Sequence, residues 1–166
     1  DYTPGAMLCA QPDCYSSRRP NSASIGTRAF QMALYVVFES NLQMLADNPT
    51  LYNMYPDCRD YIASCPVNWD ETRVLAAEFG EYTIVARRSG NKWYIGGITN
   101  ETARDIDVKL DFLAEGLSYN ATSFTDGINS SVQAMDYRKE STRLSRNSTI
   151  RIHMVRNGGY AAVLEP

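Results

Sequence analysis

The side chains able to do acid–base or nucleophilic chemistry are few in this sequence, and their spacing works against it. The one histidine, His153, sits in Arg151-Ile-His-Met-Val155. On a strand it shares a face with Arg151 and Val155, with Ile152 and Met154 opposite. No serine or cysteine motif points to it, so it reads as structural or exposed. Asp70 and Glu71 are adjacent and on a strand would face opposite sides, which leaves no carboxyl pair of the kind that hydrolyses glycosides. Asp105 and Asp107 do share a face, against Ile106 and Val108; that is the pattern of a strand with one side in water. Cys9 and Cys14 are five apart and Cys58 and Cys65 seven, whereas structural zinc sites pair cysteines about two to four apart. Four cysteines leave both disulfides and four free thiols open. Gly96-Gly97 lies in a strand pattern with no Lys-Ser or Lys-Thr behind it, so a bulge or close backbone packing is expected, not a phosphate cradle. Trp93, Tyr94 and Tyr82 have the chemistry of a sugar-stacking platform, but such rings in a hairpin more often pair across strands in a core. The sequons at Asn100, Asn120, Asn129 and Asn147 use ordinary turn residues. No catalytic residue and no metal ligand is assigned on this chain.

Composition narrows the function classes further. The 166 residues suit one domain, or one domain plus part of another. Apolar residues at 44% and charged residues at 21% are globular values. A net charge of −3 offers no electrostatic footprint for nucleic acid. The longest apolar run, Met32 to Phe38, is far short of the roughly 20 residues a bilayer span needs. The chain opens on Asp1 with no basic or apolar leader, which hints at a piece cut from something longer.

The elements that would position these residues fall into two unlike halves. Residues 1–79 carry a net −4 and residues 80–166 a net +1. Asp1 to Ile25 is rich in Pro, Ser, Asn and Gly and reads as a long irregular connection, uncommon unless functional. A helix is expected from Thr27, its N-cap, to about Asp47, stopped by Asn48-Pro49. Nine of its residues 29–38 are apolar or aromatic. A helix greasy nearly all round is buried on most sides, and the roughly 120 residues after it look too few to do that, so a partner domain upstream is expected. A shorter helix is expected over 49–63, and residues 69–79 lead into the sheet as an extended arm. Glu81 to Arg87 and Lys92 to Thr99 flank Arg88-Ser-Gly-Asn91, a strong hairpin signal. Further strands are expected over 105–112, 118–125, 150–155 and 160–164. Five or six antiparallel strands at short spacing read as a β-sandwich or a related sheet domain.

Several runs, in order, resemble the C-terminal part of glycoside hydrolase family 97, the α-glucosidase and α-galactosidase family common in Bacteroidetes. They are Asp1-Tyr-Thr-Pro-Gly-Ala-Met7, Gly26-Thr-Arg28, Gln31 to Ser40, Leu42 to Asp47, Trp69-Asp-Glu-Thr72, Gly80 to Arg88, Trp93 to Thr99, Asp126-Gly127 and Gly158-Gly159. The resemblance implies an α+β fragment: the last helix of a β/α (TIM) barrel followed by a C-terminal antiparallel β-sandwich-like domain. Residues 1–66 would end the catalytic barrel, 67–79 would be a connecting arm, and 80–166 the antiparallel β domain. Asp1, Tyr2 and Thr3 would end the last barrel strand and border the sugar pocket, since barrel active sites gather at the C-terminal ends of strands.

The same resemblance implies a parent that cleaves α-glycosidic bonds, α-glucosidase-like, in glycan or starch utilisation, in the periplasm or outside the cell. Its partners would be the rest of the barrel upstream and, through it, an oligosaccharide. The general acid, the base or nucleophile and the glutamates around an active-site calcium lie upstream, and none is carried over to a residue here. The chain alone is therefore expected to be inactive and to bind no calcium. Two departures stand out: Phe30, where relatives commonly carry a polar residue such as His, and the loop between Cys9 and Cys14. The alternative reading is a stand-alone carbohydrate-binding or structural β-sandwich module without catalysis.

Overall fold

In the computed structural model, which describes residues 2–15 and 23–166, alternation in the second half becomes sheet. After a short parallel pair, β1 (Cys9–Ala10) with β2 (Ser24–Ile25), come three helices, α1 (Arg28–Val37), α2 (Pro49–Met54) and α3 (Pro56–Ser64). Eight strands follow: β3 (Glu71–Glu78), β4 (Tyr82–Ser89), β5 (Lys92–Thr99), β6 (Arg104–Lys109), β7 (Ser118–Asp126), β8 (Tyr137–Ser145), β9 (Thr149–Met154) and β10 (Gly159–Glu165). Six of them form one antiparallel sheet in the order β3-β4-β5-β10-β7-β8, and β6 pairs with β9 in a separate ribbon. The chain is thus mostly antiparallel β with few helices. The expected hairpin is β4–β5, in register from Tyr82 opposite Thr99 to Ser89 opposite Lys92. Residues 67–79 include β3, the edge strand beside it.

The layers follow from the period of two. Trp93 and Ile95 of β5 point to one side of the large sheet, where they meet Val108, Ile152 and Met154 from the ribbon. Tyr94 points to the other side, against Val36 of α1. The helix runs across β10 and β5 in a trough of small residues. Gly96 and Ala161 face each other in the register. A Cβ on Gly96 would stand 2.8 Å from Val36 Cβ, and one on Gly159 would stand 2.4 Å from Phe30 Cα. The expected reading of Gly96-Gly97 as close backbone packing holds for Gly96.

Three expectations are corrected. The first helix spans Arg28–Val37, not 27–47: Thr27 caps it through its side chain, and Phe38 is already extended. The continuation is pulled out to pair with the N-terminal segment, where Tyr2 bridges Gln43 in parallel and Met44 and Ala46 donate their amides to Tyr2 and Pro4. Helix 49–63 is two helices, because Pro56 cannot continue the α2 ladder. The greasy helix does find cover within this chain. Ala29, Met32, Ala33, Leu34, Tyr35 and Val36 are all buried, with the sheet on one side and Met7, Tyr52 and Tyr61 on the other. Its apolar girth therefore does not itself require a missing partner.

Candidate functional site

Of the residues expected to border a sugar pocket, Asp1 lies outside the described residues. Thr3 is exposed, whereas Tyr2 is half-buried and turned back on the helix. The Tyr2 hydroxyl reaches the Leu34 and Phe38 carbonyls at 3.1 and 3.2 Å. Its ring meets that of Phe38 edge-on. Burial raises its pKa above the ordinary phenol value. Tyr2 thus anchors the segment on α1 through its hydroxyl proton and its ring.

The following stretch, residues 4–13, is irregular, and side chains satisfy its backbone. Gln31 Oε1 accepts from the Gly5 and Ala6 amides at 3.2 and 3.4 Å. Tyr35 and Tyr52 donate to the Pro4 and Gly5 carbonyls at 3.1 and 3.0 Å. Asp47 Oδ2 accepts from the Met7 and Leu8 amides. Arg28 donates to the Met7 carbonyl from Nε and Nη2, at 3.2 and 2.7 Å. Its buried guanidinium lies 3.8 Å from the Tyr55 ring centroid and 5.2 Å from that of Tyr137, which replaces lost hydration with two π faces.

Loops from the sheet hold the end of the stretch. Gln11, with 0% of its surface exposed, donates from Nε2 to the Ser130 and Arg156 carbonyls, both at 3.0 Å. Its Oε1 accepts from Asn157 Nδ2 at 3.3 Å. Asp13 pairs with Arg156 at 2.6 Å. The β9–β10 turn that supplies Arg156 and Asn157 is tied down by Asp126, whose Oδ2 accepts from the Val155 and Gly159 amides at 2.9 and 3.2 Å. Burial raises the Asp126 pKa to about 6, opposed by the Thr27 hydroxyl and those two amides. Of Gln11, Arg28, Asp47 and Asp126, the sequence singled out the last three, as parts of the runs Gly26-Thr-Arg28, Leu42 to Asp47 and Asp126-Gly127. Gln11 carries no local signal, because its partners lie 119 to 146 residues away.

The other candidates resolve as surface or core. Asp105 and His153 face each other across β6 and β9 at 2.9 Å, both exposed, with Arg151 nearby. His153 first, then Arg151, holds the Asp105 carboxyl below its usual range. Trp93 and Tyr94, at 4 and 3% exposure, are core residues and form no platform. Tyr82 lies beside the Arg104 guanidinium. The four cysteines are free. Burial pushes the Cys9 and Cys65 thiols up to about 12 and Cys58 to about 11, so they are poor nucleophiles. Among the described residues, no three His, Cys, Asp or Glu side chains are grouped to hold a metal ion. No helix among them is long and apolar enough to cross a membrane. An apolar cavity of about 580 Å³ opens at the β3–β4 tip between Phe30, Phe79, Tyr82 and Ile98.

Comparison with known proteins places this arrangement. The family model described as "Glycosyl-hydrolase 97 C-terminal, oligomerisation" matches residues 68–165. A retaining alpha-galactosidase of Bacteroides thetaiotaomicron is 44% identical over 161 residues, covering 97% of this chain and 24% of its own. A probable retaining alpha-galactosidase of Streptomyces bingchenggensis is 33% identical over 163 residues, covering 98% of this chain and 23% of its own. The chain thus spans about a quarter of the curated relatives it matches. A glycoside hydrolase family 97 enzyme from Pseudoalteromonas sp. strain K8, solved with panose, superposes with a TM-score of 0.80 at 31% identity, over 84% of this chain and 22% of that one.

Proposed function

Because the chain belongs to glycoside hydrolase family 97, we propose that it is the C-terminal portion of a larger enzyme that hydrolyses α-glycosidic bonds with retention of configuration. The observation that carries this reading is the reach of the likeness. It runs through 97% of the chain and so continues upstream of residue 68, into the segment clamped around Arg28 and Gln11. In the reading, Tyr2 and Thr3 end the last strand of a catalytic barrel and α1 is its last helix. The exposed apolar side chains Phe38, Leu42, Met44, Leu45, Met54 and Val67 then face the rest of that barrel, since soluble proteins rarely leave so many together in water.

Galactose displaces glucose as the sugar to test first. The two curated relatives named above carry the name alpha-galactosidase, which favours α-galactosides over the α-glucosides expected from the sequence. Retention requires two carboxyl groups about 5–5.5 Å apart on either side of the scissile bond. In the same reading the acid, the nucleophile and the calcium ligands lie in the upstream part. In keeping with it, Asp126, Asp105 and Asp13 are engaged by backbone amides or surface cations, and no step of the reaction is assigned to this chain. An extracytoplasmic location belongs to the same reading.

The test uses the full-length protein and this chain side by side on aryl α-galactosides and aryl α-glucosides, with NMR of the first-formed anomer. The full-length protein should release the α-anomer from the galactoside, and the chain alone should release nothing. Turnover by the chain alone, or none by the full-length protein on either substrate, would end the proposal.

Self-association, the role in the family model's description, has an apolar foothold at the β3–β4 tip. Phe79 stands wholly exposed there beside the cavity, a knob next to a hole that a second copy could share by a twofold axis. Sedimentation of the full-length protein should find a dimer weakened at least tenfold by Phe79→Ser; an unchanged association constant rules this surface out.

A further inference from the structure

We propose that Gln11 is a positioning residue for the enzyme's sugar pocket, through which the C-terminal sheet domain sets the shape of the loop that borders it. This rests on the reading of Tyr2 and Thr3 as the end of the last barrel strand. The loop after that strand then starts near Pro4, and loops at this end of a barrel line the substrate site.

Among the described residues of the loop, the regular structure is the two-residue pairing of β1 with β2 and a single 3₁₀ turn over Pro12–Cys14. Gln11 is the residue that caps that turn, and the Cys14 amide donates to its carbonyl at 2.9 Å. Its side chain points away from the loop and is spent entirely on the sheet domain. Its three partners belong to the 127–136 loop and the β9–β10 turn, within the stretch the family model matches. A buried amide with both donor and acceptor ends engaged is held in position and orientation. Asp13, two residues on, is drawn to Arg156 in the same turn.

The supports behind the clamp are themselves fixed. Asp126 holds the Val155 and Gly159 amides. Asn157 adopts a left-handed backbone at φ 51°, which directs its side chain and backbone to opposite partners. Its carbonyl takes the Thr27 amide at 2.9 Å, where α1 begins. In the 127–136 loop, the Asp136 carboxylate accepts from the Asn129 amide at 2.9 Å, and the Ser130 hydroxyl donates to the Asp136 carbonyl at 2.6 Å. Position is thus passed from sheet to turn to Gln11 to the loop. Because the placement of a bordering loop decides how well an oligosaccharide is seated, this path reaches the pocket through the loop it holds.

The experiment compares wild-type full-length enzyme with Gln11→Ala and Gln11→Asn, and with Arg156→Ala, which cuts the exposed ties to Asp13 and to the Ser131 carbonyl and leaves the core alone. Hydrogen exchange over residues 8–15 is read beside kcat and KM on an aryl α-galactoside and a galacto-oligosaccharide. Gln11→Ala should raise exchange in that stretch at least tenfold and raise KM for the oligosaccharide about tenfold, with kcat on the small substrate within twofold. Gln11→Asn should fall between it and wild type. Arg156→Ala should shift both readouts the same way by a smaller factor, and it carries the test if Gln11→Ala fails to fold. Faster exchange with unchanged KM would make the clamp structural only, and unchanged exchange would remove it altogether; either overturns the inference. A wild-type enzyme inactive on every α-glycoside would instead overturn the functional reading, before any variant is made.

Discussion

Residues 2–67 and residues 68–165 solve the same problem in opposite ways. Both must satisfy buried backbone groups. The sheet domain does so with ladders, in which each strand answers its neighbour and few side chains are individually needed. The N-terminal region has three helices, but along its described residues 4–13 it relies on single side chains: Gln31, Tyr35, Tyr52, Asp47, Arg28 and Gln11 each complete a particular stretch of irregular chain. A ladder averages over many weak choices. A clamp depends on one.

The sharpest way to break that contrast is Arg28. Arg28→Ala removes two donors from the Met7 carbonyl and the cation held against the Tyr55 and Tyr137 rings. The expected loss is about 3–4 kcal/mol, from charged hydrogen bonds, a buried cation–π contact and a cavity. Urea unfolding of this chain measures it, and a loss under about 1 kcal/mol would put the N-terminal clamp on the same footing as the ladder.

Next is Gly159, where the two regions touch. Gly159→Ala puts a methyl against the backbone of Phe30, and α1 must lift from its trough at a cost of about 2–3 kcal/mol. An alanine tolerated within about 0.5 kcal/mol would mean that helix and sheet are loosely seated.

Asp126 sharpens the comparison through pH. Its carboxyl titrates near 6 in the fold against an ordinary 3.8, so between those values the folded state holds the proton more tightly than the unfolded state. The Asp126 contribution is therefore greatest below pH 3.8 and falls away as pH rises through about 6. Asp13, Glu71 and Asp105 are shifted the other way, so the comparison is between wild type and Asp126→Asn. Across this window wild type should lose stability relative to the variant; parallel pH curves would contradict the assignment.

The smallest effect belongs to the outer strand. Thr142→Ser on β8, exposed and at the sheet edge, should move stability by no more than about 0.5 kcal/mol. A larger loss would show that the ladder, too, leans on single side chains.

What could be read in advance follows the same division. The β4–β5 hairpin was legible because the Arg88-Ser-Gly-Asn91 turn sits between alternating strands, and β7, β9 and β10 were legible for similar reasons. Strand β8 was not: Arg138, Lys139, Glu140 and Arg143 leave no apolar period, since most of that strand is exposed on both faces. The end of α1 was not legible either, because apolar residues continue through Leu42 to Leu45 and helix period alone gives no reason to stop. The stop comes from Tyr2 and Pro4, some forty residues away in sequence, which take Gln43 to Ala46 as an extended partner. The resemblance to family 97 was legible in short ordered runs. Gln11 was not, because nothing around it distinguishes a clamp from a turn residue.

Amino-acid order alone determined the sheet-forming half, the greasy helix and its Thr27 cap, and the family, because these depend on periodicity and on motifs a few residues long. Only the folded molecule decided where α1 ends, that the chain buries that helix with its own residues, and which side chains hold the loop after Thr3. Those outcomes turn on partners more than a hundred residues apart, in one case, and on distances of two or three ångströms, which local pattern does not encode.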